Sequence, residues 1–534
     1  MKGLFHAGAI DYVIILAYFV FVLMVGWLLR KYTRTGEDFF LSGRSLPAWI
    51  TGIAFMSANL GSQEVLGMSA GGAEYGMIET HFYWIGAIPA MIFMGLYMMP
   101  FYWASRARSV PEYLKLRFNE ATRGVNAFSF AVMTVLVSGI GLYSMGIVLQ
   151  ALLGWSLVVS IIVSAVVVLA YVFLGGLTSS IFTEVTQFFL ICLGILPLTI
   201  IGLVKFGGWH GLVSHIPHNY GHVWADLGTS HNALGTNWFA VVFGLGFVMG
   251  FAYWTTDFLV VQRTFAARSM RAAQVTPIYA SFIKVFVPLV DIVVGLVALA
   301  VFPHIGHDGT SYNMALPMLM AKYYSTGMIG LGITALLASF MTGMAGNITA
   351  FTTVWTYDIY QAYINKKASD RHYVWMGRLA MTVGMILSIF TAFIAGSFPS
   401  IMDYMQTLFS FFSVPIFATF LLGMFWKRTT AWGGFSSLVS GIVFACIFYW
   451  ALPIHFATPN AKTFWQSFWV WVVATAIGIL VSLFTKPKTD EELKGIVYGV
   501  QKYPSYKHLR WYKRPGYLAC ISLALFVALD IIFW

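Results

Sequence analysis

The sequence predicts an all-α, polytopic membrane protein whose core helices form two inverted halves. Of its 534 residues, 59% are hydrophobic and only 10% are charged, whereas soluble domains carry about 25% charged residues. Apolar runs of the roughly 20 residues that a helix needs to cross a bilayer recur along the whole chain. Two of these runs are interrupted by glycines and polar residues, which is typical of transporters. We therefore expect about 14 transmembrane helices with a 5+5 inverted repeat.

The first run, 11–29, ends before Arg30 and Lys31 without a small-residue cleavage site, so we predict a retained span rather than a signal peptide. The other spans are expected near 47–69, 83–104, 125–150, 155–174, 182–204, 237–258, 274–301, 327–350, 374–395, 401–424, 432–452, 465–484 and 515–533. A single transporter domain, 1–534, would then contain an extra N-terminal helix (11–29), a first repeat (47–204), a second repeat (237–424) and extra C-terminal helices (432–534).

The basic residues predict the orientation of these spans. Loops after odd-numbered spans hold 25 Lys and Arg residues, whereas loops after even-numbered spans hold only Lys205, Lys322 and Lys462. By the positive-inside rule the odd loops are cytoplasmic, and both termini lie on the outer side of a cell (inner) membrane. The net charge of +11 therefore reflects the orientation of the chain, and the basic residues would contact the inner leaflet of the membrane. This charge gives no support to nucleic-acid binding.

The first interrupted run is the polar stretch 57–72. It carries Asn59, Ser62, Gln63 and Glu64 in succession, and four glycines lie within it. In lipid, such a helix is tolerated only where it faces protein or water. We predict a helix broken at mid-membrane, where free backbone groups bind a cation and a substrate. A kinked, purely structural span is the alternative, but an ionisable residue such as Glu64 inside a span usually marks function.

A second interrupted run, 244–257, lies five spans further on and contains three glycines and Asp257. This spacing suggests two five-helix units of opposite topology, spans 2–6 and 7–11, with the site between them. Further polar residues fall inside spans where such a site needs them: Glu184, Lys284, Ser339, Thr342, Asp403 and Gln406.

Several function classes have no support. No Walker A sequence, nucleophile elbow or kinase signature occurs, so we expect no enzyme, no ATP-driven pump and no cofactor. Cys192, Cys446 and Cys520 lie within apolar runs and form no disulfide framework. The histidines of the 205–236 loop lack metal-binding spacing, and we interpret them as a solvated loop.

Several segments resemble the sodium:solute symporter family, with the greatest similarity to its bacterial sodium/sugar cotransporter branch. The resemblance covers the chain in order, and the segments that carry it are 37–47, 57–68, 110–114, 175–187, 262–267, 358–360 and 421–428. It implies a LeuT-like fold with extra flanking helices and sodium-driven symport by alternating access. The implied partners are a small solute, Na⁺ and the bilayer, with no obligatory protein partner.

The resemblance also implies a sodium site. Its backbone ligands fall at Ser57 and Leu60 in the broken helix, and its other ligands at Ser339, Thr342 and Gly343 in span 9. Glycine has no side chain, so one oxygen ligand is missing, and a weaker sodium site or proton coupling stays open. Glu184 falls where the family has an acidic residue on the cation's inner exit route.

The implied substrate site follows the sugar branch only in part. Three residues match it, Tyr253 as an aromatic gate and Lys284 and Gln406 as hydrogen-bonding groups, while Met68 and Met402 would form an outer lid. Four positions depart from it: Tyr83 replaces a glutamate, Gly86 a serine, Gly250 an asparagine and Glu64 a glutamine.

We therefore expect a neutral sugar or polyol, with a cationic or zwitterionic solute such as an amino acid as the next choice. A buried Glu64 would disfavour sialic acids and monocarboxylates, but pairing of Lys284 with Glu64 or Asp291 would weaken that argument. A transporter-like sensor and a channel are the alternatives from other classes.

Overall fold

The computed structural model describes residues 8–29, 36–307, 309–500 and 505–534. Arg30, Lys31, Arg34 and Lys502, which contribute to the predicted orientation, lie outside these ranges. The described chain is helical and holds no β-strand, only an isolated bridge between Leu46 and Ala267.

Twenty-one helices follow one another along the described residues. In chain order they are α1 Ala9–Leu29, α2 Gly36–Leu41, α3 Ala48–Asn59, α4 Ser62–Tyr75, α5 Ile88–Ala104, α6 Val110–Arg117, α7 Glu120–Leu153, α8 Leu157–Phe173, α9 Gly176–Phe206, α10 Trp209–Val213, α11 Ala240–Thr256, α12 Phe258–Phe265, α13 Met270–Phe286, α14 Ile292–Val301, α15 Ala315–Tyr323, α16 Met328–Val354, α17 Asp370–Ala395, α18 Ile401–Phe425, α19 Ala431–Cys446, α20 Pro459–Phe484 and α21 Pro515–Ile532.

Ten helical segments of the described chain are long and apolar enough to cross a membrane, or eleven if the bent pair α11–α12 is one span. This finding makes the protein a multi-pass membrane protein. The other predicted spans correspond to shorter pieces. α5 and α8 fall below the length of a full span, and the run near 47–69 is divided between α3 and α4.

The predicted break in the first interrupted run is confirmed. α3 ends at Asn59 and α4 begins at Ser62, with Leu60 and Gly61 in non-helical conformations between them. No side chain caps the first turn of α4. The free backbone groups that every helix end carries are therefore left for other partners.

The second interrupted run, 244–257, bends at its last residue. The stretch Ala240–Gly250 keeps a helical path, as a wide π-type turn, and α11 continues to Thr256. The chain bends by 50° only at Asp257, whose backbone is extended. Gly244, Gly246 and Gly250 all lie within this continuous helical path.

The core of the bundle surrounds the first break. α3 packs on α13 and on α9, α4 packs on α14, and α16 lies against α9, α7 and α3. Leu60, Ser57 and Gly61 therefore sit between α16 on one side and the α13–α14 segment on the other. The substrate and cation positions predicted from sequence are brought to this place.

Candidate functional site

A cavity lies beside the first break, and its volume including its mouth is about 650 Å³. α3, α4, α11, α16 and α18 contribute to its wall together with the segment between α4 and α5. Six predicted substrate residues line it: Glu64, Met68, Tyr83, Tyr253, Met402 and Gln406.

Lys284, the seventh predicted residue, lies directly behind the cavity wall. Its ammonium nitrogen donates to Asn59 Oδ1 at 2.6 Å and to Glu64 Oε1 at 3.1 Å. It also lies 3.6 Å from the centre of the Tyr83 ring. The charge of Glu64 is thus compensated inside the protein, as a buried carboxylate requires.

Tyr83 connects this pair to a second carboxylate. Its hydroxyl donates to Asp291 Oδ2 at 2.6 Å, and Asp291 also accepts from the backbone N–H of Ile292 at 2.7 Å, at the start of α14. Lys284 therefore pairs with Glu64 rather than with Asp291. The tyrosine that replaces the expected glutamate is held rigidly, with its ring over the ammonium group and its hydroxyl on Asp291.

Aromatic and amide groups form the remainder of the polar wall. The Tyr253 hydroxyl accepts from Asn59 Nδ2 at 3.1 Å, and its ring lies 4.8 Å from that of Phe409. Gln406 contributes its amide, whose nitrogen contacts the sulfur of Met402 at 3.3 Å. Such a mixture of ring faces and a few fixed polar groups suits a small polar ligand.

The two glycines that replace a serine and an asparagine lie against each other. A Cβ atom on Gly250 would come within 2.0 Å of the Gly86 carbonyl oxygen. Side chains larger than hydrogen do not fit there while the backbones are this close. The two departures from the sugar branch are therefore one structural feature, a close approach of α11 to the segment before α5.

The predicted cation residues also come together. The Ser339 hydroxyl donates to the Leu60 carbonyl at 2.6 Å, which joins α16 to the break. The Thr342 hydroxyl donates to the Ser339 carbonyl at 2.8 Å. The Ser57 hydroxyl is fully buried and has no hydrogen-bond partner among the described residues. A hydroxyl or carbonyl oxygen that forms one hydrogen bond keeps a free lone pair, so the contacting Ser339 and Leu60 oxygens retain lone pairs that a cation can use.

Glu184 lies apart from the cavity. It forms a fully buried ion pair with Arg263 of α12, and Ser180 donates to the same carboxylate at 2.5 Å. The Arg263 guanidinium also donates to the Leu259 carbonyl at 2.6 Å. This pair ties α9 to α12 just beyond the bend at Asp257.

Sequence reasoning missed several residues of the cavity. Asn59 lies within the broken stretch but was given no role, although it links Lys284 to Tyr253. Asp257 and Asn347 line the inner part of the wall, and Gln63 lies beside Glu64. A helical register could have found Asp257, one turn after Tyr253, and Asn347, little more than one turn after Thr342.

The chain is similar to known proteins in sequence and in fold. Residues 39–441 match the model of the sodium:solute symporter family. A sodium/glucose cotransporter of Vibrio parahaemolyticus is 28% identical over 91% of this chain and 92% of its own. Sodium/glucose cotransporter 1 of Oryctolagus cuniculus is 27% identical over 92% of this chain and 82% of its own. The solved structure of a Na⁺-coupled sialic acid symporter, in its substrate-bound outward-open state, superposes with a TM-score of 0.77 over 90% of this chain and 99% of that one. At 20% identity, that likeness concerns the fold.

Proposed function

The chain belongs to the sodium:solute symporter family, and from this premise we propose that it imports a neutral sugar or polyol together with Na⁺. It is a secondary active transporter and not an enzyme, and Na⁺ is its coupling ion rather than a bound cofactor. The observation that carries the substrate class is the internally paired Lys284–Glu64 unit in a cavity with aromatic and amide walls.

The sugar argument rests on complementary surfaces. The Tyr253 ring is available to pack on the C–H face of a pyranose, and the Gln406 amide to bond its hydroxyls. Glu64 lines the cavity, so its carboxylate can accept from a hydroxyl of the solute. The Gly86–Gly250 contact removes two of the hydrogen-bonding side chains of the sugar branch, so we expect a solute that needs fewer such bonds.

The side chains of the cavity wall argue against an anionic solute, but Glu64 is not the residue that does so. Because Lys284 neutralises Glu64, that carboxylate no longer repels an anion. No Lys, Arg or His of the described residues lines the cavity to bind an anion, and Asp257 adds an acidic side chain to its wall. A cationic or zwitterionic solute is the second candidate, because the same carboxylate would favour it.

Coupling follows from the position of the cation residues. Na⁺ held by Ser57, Leu60, Ser339 and Thr342 would join α3 to α16 and fix one wall of the cavity. Binding of Na⁺ would then raise solute affinity and solute would raise Na⁺ affinity equally, with typical couplings of about 1–3 kcal/mol. The membrane potential adds about 2.3 kcal/mol per charge per 100 mV. Glu184, beside the bend, would serve the inner exit of the cation.

We also propose the finer topology. Fourteen spans arranged as the inverted repeats 47–204 and 237–424 account for the two breaks, one near the start of each repeat. The shorter helices α5 and α8 and the divided pair α3–α4 would supply spans beyond the long ones. With the basic loops inside, both termini lie outside a cell (inner) membrane.

Uptake into proteoliposomes tests the proposal. Labelled hexoses, inositol, sialic acid, lactate, proline and choline are each offered with an inward sodium gradient, with a proton gradient and with neither. We expect saturable, sodium-driven uptake of a hexose or inositol. Uptake of lactate or sialic acid would contradict the assignment, proline or choline would select the second candidate, and unsaturated sodium-independent flux would indicate a channel.

Two sets of variants locate the sites. Thr342→Ala should raise the sodium concentration needed for half-maximal uptake, and an unchanged requirement would remove the cation from this place. Gln406→Ala and Tyr253→Ala should abolish accumulation while the purified proteins elute and melt like the wild type. Normal transport by both would remove the solute from the cavity.

A further inference from the structure

Gly343 poses a specific problem for a sodium site, because it provides no side-chain oxygen where one is expected. The structure shows what occupies the neighbouring space. A Cβ atom on Gly343 would lie 2.8 Å from Gly61 Cα, and 3.4 and 3.6 Å from the amide nitrogen and oxygen of Gln63. The break in the helix is therefore pressed against α16, and the Gln63 side chain lies beside the contact.

The Gln63 side chain folds back onto the break instead of extending away from α4. Both of its amide atoms lie 2.7 Å from the position of a Cβ on Gly61, and its oxygen lies 3.2 Å from that of a Cβ on Gly141 of α7. Glycines of three segments thus leave room for one amide. A larger residue at any of these positions would push the amide away or separate the helices.

The Gln63 amide also has an oxygen atom, the kind of ligand that Gly343 does not provide to the sodium site. Gln63 is 6% exposed and lines the cavity, and none of the side-chain hydrogen bonds of the described residues involves it. Its carbonyl oxygen has two lone pairs, and rotation about the last bond exchanges the oxygen with the nitrogen. Oxygen is the donor that hard cations prefer.

We propose that Gln63 supplies the cation ligand that Gly343 cannot, so that the site is completed from the broken helix rather than from α16. This inference rests on the proposed sodium coupling. It implies that one segment, 57–63, provides the Ser57 and Leu60 oxygens and the amide oxygen. Since Glu64 is the next residue, the cation ligand and the carboxylate that faces the solute are then adjacent in the chain.

Binding of ²²Na⁺ to the purified protein, without solute, tests this inference. Gln63→Met keeps the length of the side chain but removes both polar atoms. We expect its sodium affinity to fall by at least about tenfold, the lower end of the cost of losing a group that supports a metal ligand. Gln63→Glu keeps an oxygen and should bind sodium at least as tightly as the wild type at neutral pH.

Thr342→Ala separates the two possible failures. If the wild type binds no sodium, the proposed coupling is wrong. If the wild type binds sodium, Thr342→Ala weakens binding and Gln63→Met does not, only the role of Gln63 is overturned. Should Gln63→Met not fold, Gln63→Glu decides: its sodium affinity should rise with pH as the carboxylate ionises, and an affinity with the pH dependence of the wild type overturns the inference.

Discussion

The second halves of the two interrupted helices begin in different ways. The residue just before α4 is Gly61, which has no side chain to cap that helix. Between α11 and α12, Asp257 caps the second half itself, because its carboxylate accepts the N–H of Leu259 at 2.8 Å. The first turn of α4 therefore has no side-chain cap, whereas one backbone N–H in the first turn of α12 is bound by Asp257.

This difference suggests different functions for the two breaks. A break whose ends are free can bind ions and solutes, and the charged and polar side chains of the site gather around it. A break that caps itself is a mechanical element, and the Glu184–Arg263 pair beside it joins two helices. We infer that the first break binds the cation and holds most of the polar groups that face the solute. The second break sets the angle between α11 and α12 and also places Asp257 in the cavity wall.

Lys284→Met should have the largest effect, because it leaves Glu64 charged and buried at the first break. Removing one partner of a buried ion pair costs about 3–5 kcal/mol. We expect loss of transport and a lower melting temperature in detergent. The double variant Lys284→Met/Glu64→Gln should recover stability but not transport. A single variant as stable as the wild type would mean that the pair does not form.

Gly250→Ala tests whether Gly250 is needed for the close contact of α11 with Gly86 rather than for flexibility of the helix. The added methyl group would overlap the Gly86 carbonyl, and inserting volume into a packed core costs about 1–3 kcal/mol. Gly228→Ala is the matched control, since nothing lies within 4 Å of a Cβ there. Equal melting temperatures for the two variants would contradict the contact.

Asp257→Ala removes the cap of α12 and should cost about 1 kcal/mol. Asp257→Asn keeps an oxygen that can accept the Leu259 N–H and should retain most of that stability. The Asn variant also removes the negative charge from the cavity wall, so uptake of an anionic solute should improve in it. If Ala and Asn variants melt alike, the cap contributes nothing to the bend.

Much of the fold could be predicted because the chemistry of lipid leaves few choices. The break at Leu60 and Gly61 was predictable, since polar residues and glycines inside an apolar run have no other tolerated place. The bend at Asp257 lies within the predicted interrupted run 244–257, but its position inside that run could not be assigned from sequence. The helical path through the glycines before it could not be predicted either, because a π-type turn leaves no clear mark in a single sequence.

The partners of the side chains were harder to predict. Lys284 had two candidate carboxylates, and only packing decides that it reaches Glu64 while Tyr83 takes Asp291. In the sequence, Gly86 and Gly250 appear as two unrelated departures from the sugar branch. Their contact could not be predicted, because the two residues are far apart along the chain. Gln63 looked like part of a polar run, because its folded-back conformation depends on Gly61 nearby and on the distant Gly141 and Gly343.

Tyr253→Phe should have the smallest effect and gives the finest test of the first break. It keeps the ring that would pack on a sugar but removes the hydroxyl that accepts from Asn59. Because one hydrogen bond contributes about 1 kcal/mol, we expect nearly normal stability and a several-fold higher KM for the solute. Asn59→Ala removes the same bond and also leaves Lys284 without one acceptor, so it should be worse in both respects. If Tyr253→Phe is instead as inactive as Tyr253→Ala, the hydroxyl bonds the solute directly, and the link to Asn59 is secondary.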